Sequence, residues 1–96
     1  MIKTNLLSEG IVSALEAQMA QEKRNSYIYL FISGFLKSKG LSKISQIFET
    51  QYKEEESHFL RINKFLTDLG VIPEILEVDT VNMSSIGIQD NILSIG

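Results

Sequence analysis

The chain has no cysteine, one proline, one histidine and more acid than base, and each shortage closes off a class of function. Without cysteine there is no disulfide, zinc ribbon, thiol nucleophile or thiolate-held iron–sulfur cluster. Nine Lys and Arg against twelve Asp and Glu leave no basic surface for a polyanion, so no nucleic-acid partner is expected. No apolar run reaches the length of a membrane span, so no membrane partner is expected either. The opening Met1 to Gly10 lacks the continuous apolar core of a secretory leader, and a cytoplasmic protein is expected. At 96 residues the chain builds one domain, near the lower end of what sustains its own core.

The one proline, Pro73, lies beyond two long stretches that read as helix. Ser8 is placed to cap the first, with Glu9 favourable in its first turn. Between Ile11 and Lys39, residues Ile11, Leu15, Gln18, Glu22, Asn25, Tyr29, Ile32 and Leu36 recur at helical spacing on one stripe, widened by Met19, Ser26 and Ser33. Gly40 reads as a helix stop and Ser42 as the N-cap of a second helix, from about Lys43 to Leu69, which ends at Gly70. So short a turn forces the helices antiparallel. The expected fold is all-α: a long two-helix hairpin over residues 8–72, followed by a tail over residues 73–96. That tail is free to run extended along the hairpin, with a short helical attempt at Gln89–Leu93.

The second helix carries its own stripe: Ile44, Phe48, Gln51, Glu55, His58, Ile62, Phe65 and Leu69. A carboxylate and the sole imidazole interrupt it at the middle. Burying an ionised carboxylate is costly unless something compensates it, and a metal ion is the compensation that also explains the histidine. Glu22 is the matching anomaly on the first helix. Counted from the turn at Gly40–Leu41, Glu22 lies about 18 residues back, and Glu55 and His58 lie about 14 and 17 forward. At about 1.5 Å per residue all three fall within one turn of the same level. Glu54 and Glu56 read as a solvated face.

One hairpin therefore offers a single glutamate and one Glu-x-x-His motif. Two hairpins about a two-fold axis would offer two of each, the ligand set of a di-metal carboxylate bundle. A homodimer, or a higher oligomer of such dimers, is expected to form a four-helix bundle and to bury the half-exposed stripes. The competing reading is a metal-free Glu–His pair in a helical-hairpin interaction module.

At these residues the chain resembles the first half of a ferritin. Leu15 to Leu30, with Glu22 followed seven residues later by Tyr29, is similar to the family's first helix. Phe35 to Leu41 resembles the turn, and Phe48 to His58 resembles the stretch holding the Glu-x-x-His ligands. The resemblance implies a ferroxidase centre in which Glu22, Glu55 and His58 bind Fe(II), with Mn also suited to the ligands. O2 or H2O2 would be the oxidant and Tyr29 a hydrogen-bond or redox partner beside the ligands, serving iron storage or detoxification. The family's ligands from its later helices have no counterpart here, so a truncated ferritin subunit co-assembling with a full-length partner is an alternative. Ile92 to Gly96 also faintly resembles the tags that load ferritin-like cargo into encapsulin shells.

Overall fold

The computed structural model describes residues 7–87, in which two helices, α1 (Glu9–Ser38) and α2 (Ser42–Asp68), form an antiparallel hairpin. The expected helical attempt at Gln89–Leu93 and the tag-like end lie outside the described residues. The start of α1 is set by Ser8, whose hydroxyl accepts the Ile11 N–H at 3.1 Å. That bond satisfies one of the donors a helix leaves unpaired at its N-terminus. Glu9 adds a negative charge in the first turn, where the helix dipole favours it.

Both helices end in the same lock. The Leu41 N–H reaches back to the Leu36 carbonyl and the Gly40 N–H to that of Lys37; Val71 and Gly70 do the same to Leu66 and Thr67. Each lock needs a positive φ, 80° at Gly40 and 84° at Gly70, which glycine adopts without a Cβ clash. The start of α2 differs from expectation. Leu41, not Ser42, occupies the N-cap position, no side chain caps it, and Ser42 is already helical. The reason is the brevity of the turn. Leu41 closes α1 through its N–H and opens α2 through its carbonyl, which accepts the Ser45 N–H at 2.9 Å.

The helices meet along Met19, Ser26 and Ser33 of α1, a seven-residue repeat that is buried, against buried Ser45 and Leu66 of α2. The seam is thus centred on the residues expected only to widen the stripe, and Glu22 stands half-buried at its edge. Near the turn the small side chains let the backbones approach. The Ser45 hydroxyl donates to the Ser33 carbonyl at 2.8 Å and lies 3.0 Å from the Ser33 hydroxyl. At the far end Met19, Leu66 and Val71 form the apolar core, with Leu7, Val12, Leu15, Phe59 and Ile62 packed around it.

Beyond Gly70 the chain follows α1 on the side away from Glu22. The Glu74 N–H donates to the Glu16 carboxylate at 2.8 Å, and the Arg24 guanidinium donates to the Asp79 carbonyl at 2.8 Å. What remains uncovered is the face that carries Glu22. The thinnest dimension of the molecule is 13 Å, about one helix diameter, so two helices alone cannot close a core over that face. Ile11, Ile44, Ile47 and Phe65 are exposed there, Ile47 by 62% and Phe65 by 50%. Among the described residues no helix is long and apolar enough to cross a membrane.

Candidate metal centre

Glu22 lies close to the midpoint of α1, and Glu55 and His58 close to the midpoint of α2. The short turn fixes the register between the helices, and the level match expected from the sequence is realised. The His58 Nδ1 stands 3.3 Å from Glu22 Oε1 and 3.9 Å from Glu55 Oε1. One ligand-type atom from each of the three residues falls within 4.8 Å of the others. Glu55 and His58 are i and i+3 on one helix, so they share a face. All three are half-buried, enough to raise the cost of leaving their charge uncompensated.

The two carboxylates are in conflict, and the conflict shows in their protonation. The Glu55 carboxyl is held above the ordinary carboxylate range, first by its hydrogen bond to Glu22, then by burial and by repulsion from the Glu22 charge. Glu22 is pushed down, chiefly as the acceptor of that same bond, with the Gln18 amide and His58 assisting against burial. Of the two acids, Glu55 is therefore the one that takes up a proton more readily. A divalent cation that takes both carboxylates removes the repulsion between them and competes with that proton.

The sign of the resulting pH dependence follows. Glu22, with its folded value depressed, stabilises the fold above its ordinary carboxylate value and loses that contribution as pH falls through the depressed value. Glu55, with its folded value raised, stabilises the fold only at lower pH and loses that contribution as pH rises through the raised value. The metal-free pair thus favours the fold most when it holds one proton. Glu55→Gln keeps an N–H toward Glu22 and cannot ionise. Thermal melts of the metal-free variant are expected to lose the decline on the alkaline side of the carboxylate range while keeping the acid-side decline. An unchanged alkaline decline would refute this account of the pair.

Tyr29 packs its ring beside Phe48 of α2, with 6.1 Å between the ring centres, and lies half-buried two turns from Glu22 on α1. Glu54 is solvated as expected, but Glu56 is not. The Lys23 ammonium pairs with Glu56 at 2.7 Å across the seam and sits 4.6 Å from the centre of the Phe59 ring. It is α2's phase relative to α1, rather than the Glu54–Glu56 charge run, that turns Glu56 inward. Two amides of the stripe have roles that the sequence left unassigned. Gln18 donates to the second oxygen of Glu22 at 2.6 Å, and Asn25, itself bonded by Gln21 at 2.9 Å, favours the ionised form of Glu55. The signal available for Gln18 was its place four residues before an unusual glutamate, where an amide meets a carboxylate.

A family model described as ferritin-like domain matches residues 12–93. The chain belongs to the ferritin-like family. That match covers α1 from residue 12 onward, all of α2 and the segment after Gly70. Neither a curated protein nor a solved structure matches the chain. For this ferritin-like chain the donor set fits a first-row divalent ion on its own chemistry. Two carboxylates and an imidazole, within 4.8 Å of one another, are a donor set that suits iron and manganese.

Proposed function

We propose that this ferritin-like chain binds ferrous iron through Glu22, Glu55 and His58 and oxidises it, as a dimer that brings two such sets together. The observation that carries the reading is the convergence of those three side chains within 4.8 Å on facing helices. Ferrous iron is the substrate here. The carboxylates supply negative charge that favours the ferric product, and the imidazole supplies a neutral donor with some preference for transition metals. Two ferrous ions held together release one electron each, enough to reduce H2O2 to two waters with the uptake of two protons. O2 is the alternative acceptor. Tyr29, on the same stripe of α1 as Glu22, is assigned a supporting role in hydrogen bonding or electron transfer.

The second copy is supported by where the set lies. Because Glu22 and Glu55 are near the helix midpoints, a two-fold axis across the hairpin would pass close to both sets. The same axis would lay Ile11 and Phe65, at one end of the open face, against Ile44 and Ile47 of the other copy. Four carboxylates and two imidazoles then surround two ions, the complement of a di-metal bundle.

Sedimentation under anaerobic conditions, with and without ferrous iron, tests this arrangement together with the absorbance of ferric product after addition of H2O2. Dimers that oxidise iron are expected from the wild-type chain. The double variant Ile47→Lys/Phe65→Lys places charge on the open face without touching the three ligands. It is expected to sediment as a folded monomer and to lose oxidation by roughly tenfold or more, since each monomer keeps half the ligands. Monomeric wild type with full oxidation would refute the dimer, and absence of iron binding would refute the whole reading.

A further inference from the structure

Glu22 offers two oxygens, and the fold treats them differently. Its Oε2 accepts the Gln18 side-chain N–H at 2.6 Å from one turn earlier on α1. Its Oε1 stands 3.3 Å from His58 Nδ1 on α2, on the side where the three ligand atoms converge. Only the N–H edge of an amide approaches a carboxylate oxygen that closely, because the amide oxygen would be repelled. The i to i+4 spacing aims the bond along the helix rather than into the site.

We infer that Gln18 is a positioning residue that sets the metal selectivity of this centre, by holding Glu22 Oε2 so that Oε1 alone faces the cation. The inference rests on the reading of Glu22, Glu55 and His58 as ligands. A carboxylate restrained to one oxygen suits Mn2+ and Fe2+, which accept mixed oxygen and nitrogen donors at short distances. Ca2+ takes about six to eight oxygens at longer range and gains from a two-oxygen grip. Freed from Gln18, Glu22 can rotate to offer both oxygens, which lowers the discrimination against Ca2+. Gln18 is itself exposed, so its replacement tests the hydrogen bond rather than the packing.

Mn2+ binding, read from the electron paramagnetic resonance of the free ion, and Ca2+ binding, read by competition, are measured on four chains: wild type, Gln18→Leu, Gln18→Lys and Glu55→Ala. In Gln18→Leu, which has similar size and no donor, Mn2+ affinity is expected to fall about tenfold, as for loss of other hydrogen bonds to metal ligands. Ca2+ affinity holds or rises, so the Mn2+/Ca2+ ratio falls about tenfold or more. In Gln18→Lys the added charge weakens both ions, but the ammonium restores a donor to Oε2. Since the ions carry equal charge, the wild-type ratio is expected to return. A wild-type ratio in Gln18→Leu overturns the inference, and so does a ratio in Gln18→Lys as low as in Gln18→Leu. Failure of the underlying ligand reading looks different: wild type and Glu55→Ala then take up Mn2+ equally, or neither takes it up, and the inference falls with it.

Discussion

Glu55→Ala is expected to weaken binding of Mn2+ or anaerobic Fe2+ by about a hundredfold or more, while the hairpin stays folded. Loss of a residue that merely orients a metal ligand costs about 10–100-fold, so loss of a ligand itself sits at or beyond the top of that range. Glu55 is also the carboxylate set against Glu22, so its removal leaves Glu22 and His58 alone against the ion. The fold should not suffer, because Glu55 lies outside the apolar core and its carboxyl is set against that of Glu22. Its removal is expected to change stability by less than about 1 kcal/mol after solvent screening. Equilibrium titration of the metal, paired with far-ultraviolet circular dichroism of the metal-free chain, reads both effects. A variant that is folded and binds metal as wild type does would remove Glu55 from the site. One that unfolds would contradict the stability argument.

The largest effect on stability is expected at the other end of the seam. Leu66 is fully buried against Met19 and Val71, and its carbonyl also accepts the Val71 N–H that closes α2. Leu66→Ala removes side-chain volume from a core of few members, in which partial collapse is easy. A cost of about 3 kcal/mol is expected, toward the lower part of the range for such substitutions. In a domain of this size that is a fall in melting temperature of roughly 10–20 °C. Leu60→Ala, on an exposed position of the same helix, should cost less than about 0.5 kcal/mol. Urea denaturation of both variants tests the contrast. Comparable losses would mean that the core is not where the described contacts put it. Metal uptake per folded molecule should survive in Leu66→Ala, because His58 and Glu55 lie about two and three turns away on α2 and none of the three ligands belongs to the apolar core.

The helices were legible because their signals are local. Ser8, Gly40 and Gly70 act through bonds to residues within five positions, and an uninterrupted proline-free run between them leaves little alternative to helix. The antiparallel hairpin follows from the brevity of the turn, and with it the common level of Glu22, Glu55 and His58. Residue counting sufficed there because the rise of a helix is nearly constant. Ser42 was misread because two overlapping caps compete for one residue in a three-residue connection. Neither cap's signature alone reveals which helix wins.

What the sequence by itself determined is which residues are anomalous: two acids and an imidazole on otherwise uncharged stripes, held at one height by a short turn. What only the tertiary structure decided is the rotation of each helix about its own axis. That rotation buries Met19, Ser26 and Ser33 instead of the Glu22 stripe, turns Glu56 onto Lys23, and leaves Glu22, Glu55 and His58 at the edge of the seam. Helical periodicity gives relative angles within one helix but no common zero between two. Contact between them supplies that zero, here through the Ser33–Ser45 approach and the Met19–Leu66 packing. The same rotation leaves Glu22 Oε1 beside His58, while Oε2 accepts from Gln18 within α1.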